Sequence, residues 1–170
     1  SNEMAIRGWL HAYGLIPRNA QIQEIMRQSS RRDESTSVSL SKFMSVRSYR
    51  GKLFVVRDKD PISPRYIRVG EILNLDSGQL RWRKSRGGFL EGDLVFLGTR
   101  KGGESLTVGS RSKLLNQIFR ENQVPLWQRG GWPLLFVNGL LESVPGITLS
   151  DKYFSNKQDM SYTPVWKPHE

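Results

Sequence analysis

Residues 109–147 read GSRSKLLNQIFRENQVPLWQRGGWPLLFVNGLLESVPGI, and this stretch decides the fold that we expect for the chain. Apolar side chains recur at helical spacing in its first third, which predicts a short helix. These side chains are Leu114, Leu115, Ile118 and Phe119. Two apolar runs, residues 134–137 and 140–144, then flank Asn138-Gly139, a pair typical of hairpin turns because both turn residues need a positive φ. The stretch therefore predicts one helix followed by a β-hairpin.

Two cations, Arg111 and Lys113, lie at the predicted start of this helix. The unpaired amides of a first helical turn already carry partial positive charge, so cations there are unfavourable unless an anion joins them. One interpretation is a phosphate held by the amides and both side chains. The other is that the side chains are solvated or pair with Glu104 or Glu121. The residues alone leave both interpretations open.

The charge of the chain points to a polyanionic partner. Its 170 residues include 26 Lys and Arg against 16 Asp and Glu, a formal net charge of +10. The excess is spread over the body, with 11 against 6 in residues 1–60 and 12 against 7 in residues 61–150. Such a basic body is typical of proteins that bind nucleic acid or, less often, an anionic membrane surface. A basic protein without such a partner is the alternative.

Several kinds of chemistry are excluded by composition. The chain has no Cys, which rules out disulfides, thiolate catalysis and Cys-based zinc sites. Its two histidines, His11 and His169, belong to no metal-ligand cluster, and the sequence has no nucleophile elbow or phosphate-binding Gly-rich loop. No apolar run approaches the roughly 18 residues of a membrane span. We therefore expect no catalytic residue, metal or membrane partner in this chain.

Residues 81–86 read RWRKSR and interleave cations with an aromatic side chain, Trp82. This pattern would suit a phosphate backbone with a stacking platform. The alternative, held equally, is an exposed basic strand end whose Trp82 faces the core. Trp127 and Trp132 are expected to anchor packing, whereas Arg129 beside them is expected to contact a ligand.

The remaining periodicity predicts an α+β chain, with a helical N-terminal unit followed by a mainly β C-terminal domain with one crossing helix. Residues 4–13 are predicted as a first helix, and Asn19 as the N-cap of a second. Residues 29–37 are predicted as an exposed polar loop, and residues 38–56 as a hairpin. The tail from residue 151 is expected to add at most an edge strand.

A series of motifs resembles the C-terminal domain of the tRNA(Ile)-lysidine synthetase family. In chain order they are RKGGE at 100–104, KLL at 113–115, VPLWQR at 124–129, PLLF at 133–136 and VPGI at 144–147. Residues 4–57 are similar to the helical substrate-binding domain of the same family, through IRGWL at 6–10 and VRSYRGKLF at 46–54.

The resemblance implies a role in tRNA modification. Enzymes of this family are ligases that use ATP to join lysine to the wobble cytidine of an isoleucine tRNA with a CAU anticodon. That chemistry belongs to an N-terminal ATP-pyrophosphatase domain with a Ser-Gly-Gly-x-Asp-Ser loop, which these 170 residues lack. The resemblance therefore implies a cytoplasmic, non-catalytic, RNA-binding portion without a cofactor. ATP and lysine would be substrates of the full enzyme, and tRNA and the catalytic domain in cis would be the partners.

The resemblance also implies a division of the chain, and the basic residues within it predict a set of contacts. The expected parts are a helical substrate-binding domain with a terminal hairpin over 1–60, a linking β segment over 61–88 and a C-terminal tRNA-recognition domain over 89–170. The expected phosphate contacts are Lys101, Arg111, Lys113, Arg120 and Arg129, with Arg81, Arg83 and Lys84 as a second patch.

Two other functions stay open. One is a module like the B-domain or editing domain of a tRNA synthetase, which would use a pocket of convergent polar groups on a small ligand. The other is a protein-interaction or anionic-surface adaptor, which would bind heparin, lipid vesicles and tRNA alike.

Overall fold

The computed structural model describes residues 2–30, 37–156 and 159–169. Most of the polar loop predicted over 29–37 lies outside these residues. The helices and strands, in chain order, are α1 (Asn2–Ala12), α2 (Asn19–Ser29), β1 (Ser37–Ser39), β2 (Met44–Tyr49), β3 (Lys52–Arg57), β4 (Arg65–Arg68), β5 (Leu73–Leu75), β6 (Gly78–Ser85), β7 (Phe89–Leu90), β8 (Leu94–Gly98), β9 (Ser105–Val108), β10 (Arg111–Leu114), α3 (Leu115–Glu121), α4 (Leu126–Arg129), β11 (Leu134–Val137), β12 (Leu140–Val144), β13 (Thr148–Leu149), α5 (Asp151–Phe154) and β14 (Ser161–Pro168). The α+β class predicted from the sequence is confirmed.

The first of two compact units ends at Asp58 and combines helices α1 and α2 with the antiparallel sheet β1-β2-β3. Its core consists of apolar side chains from both helices and from the sheet. They are Leu10, Ile22, Ile25, Val38 and Val46. The predicted hairpin is β2–β3, whose turn residues Arg50 and Gly51 have φ values of 52° and 79°.

The prediction that Asn19 caps the second helix is wrong by one residue. Arg18 is the cap, and its amide donates to the side-chain oxygen of Gln21 at 2.8 Å. The Asn19 side chain instead accepts a hydrogen bond of 2.7 Å from Arg7. Because the Gln21 side chain already accepts from the cap amide of α2, the side chain of Asn19 is available to bind Arg7 of α1.

The second unit covers residues 59–169 and contains two antiparallel sheets. Their strand orders are β13-β12-β11-β8-β4 and β5-β6-β14-β7, and β9 pairs with β10 as a separate hairpin. Side chains from both sheets and from α3 form one core that includes Leu80, Leu97, Phe119 and Leu134. Helix α3 buries Leu115, Ile118 and Phe119 there, as the helical spacing predicts.

The predicted Asn-Gly hairpin is confirmed. Strands β11 and β12 occupy the two apolar runs, and Val137 pairs with Leu140 across the turn. Asn138 and Gly139 have φ values of 51° and 78°, the geometry that this dipeptide favours.

The helix begins later than the sequence predicts. Residues Arg111–Leu114 form strand β10, in which Arg111 pairs with Val108 and Lys113 with Leu106. Gly109 and Ser110 form the connecting turn with φ values of 59° and 64°. Leu114 is consequently 56% exposed rather than part of the helical core. The short S-R-S-K-L run is compatible with either helix or strand, and pairing with β9 decides between them.

The C-terminal tail is more integrated than predicted. Strand β14 lies between β6 and β7 rather than at an edge of its sheet, and it pairs with the whole of β6. Residues 61–88 likewise contribute β4 to one sheet and β5 and β6 to the other. Such long-range pairing leaves no trace in local periodicity.

Candidate nucleic-acid interface

Cations from helix α3 and from the loop before β9 lie near one another. The guanidinium of Arg100 donates to the side-chain oxygen of Asn116 at 3.3 Å. Arg120 lies one helical turn beyond Asn116, so the two side chains are neighbours on the same face. Lys101 follows Arg100 in the chain and is exposed. Arg100 was not among the predicted contacts, although the RKGGE motif contains it.

The loop that carries Lys101 is held by its own carboxylate. Glu104 accepts hydrogen bonds from the amides of Lys101 at 2.7 Å and of Gly102 at 2.9 Å. Burial by itself would raise the pKa of Glu104, but these amides and the charge of Arg100 outweigh it and lower the pKa. The amides of Lys101 and Gly102 are therefore already bonded to the Glu104 carboxylate. An outside ligand would meet the side chains of this loop rather than these two amides.

The predicted position of Arg111 and Lys113 at the start of the helix is wrong, whereas phosphate binding by these residues stays a prediction. Arg111 and Lys113 lie on strand β10 and not in the first helical turn. The first amide of α3, that of Leu115, donates to the backbone oxygen of Glu104 at 2.8 Å. The helix has only seven residues, so its dipole is small.

For Lys113, the alternative interpretation is confirmed. Its Nζ lies 3.1 Å from a carboxylate oxygen of Glu121, which also accepts a hydrogen bond of 2.9 Å from Gln117. The hydrogen bond from Lys113 is the main cause that lowers the pKa of Glu121. Lys113 therefore reaches the far end of α3 with its charge largely balanced.

Arg111 is placed by the hairpin turn before it. The carboxylate of Asp151, at the start of α5, accepts hydrogen bonds from the amides of Gly109 at 2.8 Å and Ser110 at 2.7 Å. Arg111 itself is exposed and shares a strand face with Lys113.

We call the set formed by these cations the α3 surface. It consists of Arg100, Lys101, Arg111, Lys113 and Arg120. Within the part of the chain that the structure describes, the side chains of Lys101, Arg111 and Arg120 have no hydrogen-bond or ion-pair partner. Within these residues three of its five charges are therefore unpaired, and Arg100, whose hydrogen bond is to the neutral amide of Asn116, also keeps its charge available to an external anion.

Arg129 lies apart from this surface, in the interior. It is only 8% exposed, and its Nε donates to the backbone oxygen of Val124 at 2.9 Å. Its guanidinium carbon lies 5.9 Å from the centre of the Phe119 ring. These contacts assign Arg129 a packing role, so we do not include it in the proposed interface.

The second predicted patch is divided between two faces of a sheet. Arg81 and Arg83 alternate along β6 and share one face, whereas Lys84 lies on the other. Lys167 on β14 pairs with Gln79, which shares the first face with Arg81. Lys167 therefore adds a third cation diagonally beside Arg81. Lys167 was missed because its neighbours in sequence give no sign that β14 lies against β6.

Trp82 lies between the two arginines on β6 and is half-buried. Its Nε1 donates to the backbone oxygen of Glu71 at 2.8 Å, and its ring meets that of Phe89 edge to face at 6.3 Å. A cleft of about 570 Å³ adjoins it, with Arg81, Arg83 and Tyr162 among its lining residues. Trp82 thus both packs on the core and lines a cleft.

Trp132 behaves as the sequence predicts. It is buried, its Nε1 donates to the backbone oxygen of Pro145 at 2.9 Å, and its ring lies 6.2 Å from that of Trp166. It therefore anchors the packing between α4 and the two sheets.

Two kinds of site are not seen in residues 2–30, 37–156 and 159–169. No group of three or more His, Cys, Asp or Glu side chains is arranged to hold a metal ion. None of the helices in these ranges is long and apolar enough to cross a bilayer.

Comparison with known proteins finds a family match within the second unit. Residues 95–166 match the family model described as the TilS substrate C-terminal domain. A tRNA(Ile)-lysidine synthase of Chromobacterium violaceum is 33% identical over 96 residues, which are 54% of this chain and 21% of that protein. The enzyme of the same name from Legionella pneumophila strain Paris is 39% identical over 56 residues, or 33% of this chain and 13% of that protein.

The chain thus spans about a fifth or less of the length of these relatives. A solved structure titled "Crystal structure of TILS C-terminal domain" is 20% identical with a TM-score of 0.46, and the likeness covers 64% of this chain and 99% of that one. Residues 95–166, which contain the whole of the α3 surface, are thus similar to the TilS substrate C-terminal domain family.

Proposed function

We propose that this chain is the tRNA-recognition portion of a tRNA(Ile)-lysidine synthase and that it binds the body of the tRNA through the α3 surface. The observation that carries the proposal is that the α3 surface lies wholly within the range of the family match. All five cations of the α3 surface lie between residues 95 and 166, the range that matches the family. Three of them have no partner among the described residues.

In this proposal the bond-making steps take place elsewhere in the full enzyme. That enzyme is a cytoplasmic ligase which attaches lysine to the wobble cytidine of an isoleucine tRNA with a CAU anticodon. ATP and lysine are its substrates and bind its N-terminal catalytic domain. The part described by the structure contributes affinity and discrimination, because the methionine tRNA carries the same anticodon and must be rejected by contacts elsewhere on the molecule.

The α3 surface suits a duplex RNA stem. The major groove of A-form RNA is deep and narrow, so proteins bind such stems mainly through phosphates and 2′-hydroxyl groups. Arg100 and Arg120 can each bind a phosphate with two parallel hydrogen bonds, which fixes orientation as well as affinity. Asn116 between them offers an amide group for a 2′-hydroxyl.

The test is a titration of this chain with the cognate isoleucine tRNA and with the methionine tRNA at low and high salt, measured by fluorescence anisotropy. We expect tighter binding of the cognate tRNA and a steep fall in affinity with salt, since each phosphate contact releases counterions. The double variant Arg100→Ala/Arg120→Ala should lower the log–log salt slope by about 1.5, at roughly 0.7–0.9 per contact.

The matched control is Arg65→Ala, which removes an exposed arginine from β4, outside the α3 surface. An equal loss of affinity with Arg65→Ala would show that total charge matters and would contradict the assignment of the surface. Equal binding of tRNA, heparin and anionic vesicles would support the adaptor function instead. Binding of a small ligand in place of tRNA would support the synthetase-like module.

A further inference from the structure

The sheet β5-β6-β14-β7 has one face in the core and the other in solvent. Leu80 of β6 and Trp166 of β14 pair with each other and are buried, so the face that they share is the inner one. Side chains alternate along a strand, so Arg81 and Arg83 point to the opposite face, where Lys167 joins them from β14. All three cations are exposed. We call this opposite face, with its three cations, the outer sheet face.

The three cations form a regular row. Arg81 and Arg83 are two residues apart on one strand, which separates their Cα atoms by about 7 Å. Lys167 pairs with Gln79 and is therefore diagonal to Arg81, at about 7–8 Å. Successive phosphates along a nucleic-acid strand are separated by a similar step. One strand can therefore meet all three cations.

The charge of this row is not neutralised within the described part of the chain. There, none of the three cationic groups has a hydrogen-bond or ion-pair partner, and the four strands of the sheet contain no Asp or Glu. The neutral polar side chains of the face bind one another instead. Gln79 donates to the side-chain oxygen of Asn74 at 2.8 Å. The hydroxyls of Ser85 and Thr163 share a hydrogen bond of 2.8 Å. An external anion therefore meets three cations without a competing carboxylate on these strands.

The strands, as the structure describes them, place no aromatic ring on the outer sheet face. Trp82 is on the inner face, where its Nε1 donates to Glu71 and its ring contacts Phe89. Tyr162 is on the inner face as well, opposite Lys84. Proteins that bind single strands combine cations with exposed rings on which bases stack. A face with cations but no rings suits the phosphate backbone of a duplex, whose bases are already stacked.

The outer sheet face and the α3 surface belong to elements that pack on one core. That core contains Leu80 and Trp166 of the sheet and Ile118 and Phe119 of α3. The cations of the sheet point away from this core, and so does the exposed side chain of Arg120 on α3. The two surfaces therefore lie on different sides of the second unit, and they suit two different segments of an RNA.

We propose that the outer sheet face is a second RNA-binding surface, which holds the phosphate backbone of a duplex segment other than the stem on the α3 surface. Contacts to phosphates add affinity without reading sequence. The inference rests on the proposed function, because binding of one helical arm of a tRNA at the α3 surface brings another arm of the same molecule within reach.

The test is the salt dependence of tRNA binding by the whole chain, measured by fluorescence anisotropy. The triple variant Arg81→Gln/Arg83→Gln/Lys167→Gln removes the three charges and keeps long polar side chains. We expect it to lower the log–log salt slope by about 2 to 3, at roughly 0.7–0.9 per contact. The isoleucine and methionine tRNAs should lose the same factor in affinity, so the ratio of their affinities stays the same.

Lys84→Gln is the matched control, because Lys84 is an exposed cation of the same strand on the other face of the sheet. It should leave the salt slope unchanged. Arg83→Gln, at the adjacent residue, should lower the slope by roughly 0.7–0.9, and it tests the surface alone if the triple variant does not fold. A short RNA hairpin with one stem should bind the triple variant as tightly as the unaltered protein and bind Arg100→Ala/Arg120→Ala more weakly.

Several results would overturn the inference. One is a triple variant with the salt slope of the unaltered protein, and another is a Lys84→Gln variant whose slope falls as much as that of Arg83→Gln. A changed ratio of the two tRNA affinities would show that the surface reads sequence. If the hairpin binds the triple variant more weakly, the outer sheet face holds the stem itself and not a second segment. Failure of the proposed function looks different, because Arg100→Ala/Arg120→Ala would then leave tRNA binding unchanged, and a chain that binds no tRNA would reject both.

Discussion

The Nζ of Lys113 on β10 lies 3.1 Å from a carboxylate oxygen of Glu121 at the end of α3. This ion pair joins the hairpin to the helix across the α3 surface, and it withholds one cation from external ligands. Both partners are close to solvent, with side-chain exposures of 32% and 43%. A pair at this degree of exposure adds little to the stability of a fold, so its main effect is on the charge of the surface.

Glu121→Gln should therefore tighten tRNA binding. The substitution releases Lys113 and removes a negative charge, and we expect about a threefold gain in affinity at low salt that disappears at high salt. Anisotropy titrations at two salt concentrations measure this gain. Asp93→Asn, which removes an exposed carboxylate away from the α3 surface, is the control. A similar gain from both variants would mean that the pairing of Lys113 is irrelevant.

Glu104→Gln should destabilise the second unit in a pH-dependent way. Burial would raise the pKa of Glu104, but the amides of Lys101 and Gly102 and the charge of Arg100 lower it overall. A carboxyl whose pKa is lower in the folded state stabilises the fold above its unfolded pKa of about 4.3, and this contribution is lost as the pH falls through the folded pKa.

We accordingly expect the variant to lose about 1 kcal/mol of unfolding free energy at neutral pH, a value reduced for the partial exposure of the side chain. Urea unfolding at pH 7 and near pH 3 measures the difference. The difference between the two proteins should narrow as the pH falls, because the carboxylate of folded Glu104 is protonated as the pH passes through its lowered pKa. A constant difference across this range would show that the carboxylate charge plays no part.

Arg129→Leu should affect stability and leave RNA binding unchanged. The variant leaves the buried oxygen of Val124 without its donor and removes the stacked guanidinium from Phe119. We expect a loss of about 1–3 kcal/mol in the unfolding free energy. Arg120→Leu provides the contrast, since that exposed residue should cost less than about 0.5 kcal/mol but weaken tRNA binding. If a folded Arg129→Leu protein loses tRNA affinity, Arg129 contacts the tRNA and the packing role assigned to it is wrong.

Asp151→Ala should loosen the turn before Arg111. The amides of Gly109 and Ser110 would lose their acceptor, and we expect faster hydrogen exchange at both together with a loss of about 1–2 kcal/mol. Hydrogen exchange followed by NMR measures the two amides directly. Lys152→Ala, at the adjacent exposed position, should leave them protected. Unchanged exchange in Asp151→Ala would show that the turn is held by its own backbone geometry.

The sequence predicts those parts of this fold in which a short-range signal determines the geometry. Asn138-Gly139 is one example, because the turn imposes its backbone angles on two adjacent residues and thereby fixes the pairing of β11 with β12. The burial of Leu115, Ile118 and Phe119 is another, because the spacing of one helix face determines it.

The parts that were missed depend on partners distant in sequence. Arg111 and Lys113 are strand residues because β9 pairs with them, and Asp151 fixes the turn from about 40 residues away. Arg129 was predicted as a contact because it lies next to Trp127 and Trp132 in a Pro/Gly-rich turn, whereas its contacts in the structure are with Phe119 and Val124. The RNA contacts themselves stay a prediction.

The central position of β14 has a consequence for how the protein is made. Strand β6 acquires its full-length neighbour only when residues 161–168 are available, so the RWRKSR segment waits through some 80 residues of synthesis for its pairing partner. Contacts at such separation close slowly and leave an unpaired strand edge exposed meanwhile. We therefore expect a newly made chain to expose this basic, aromatic strand edge until β14 is free to pair with it.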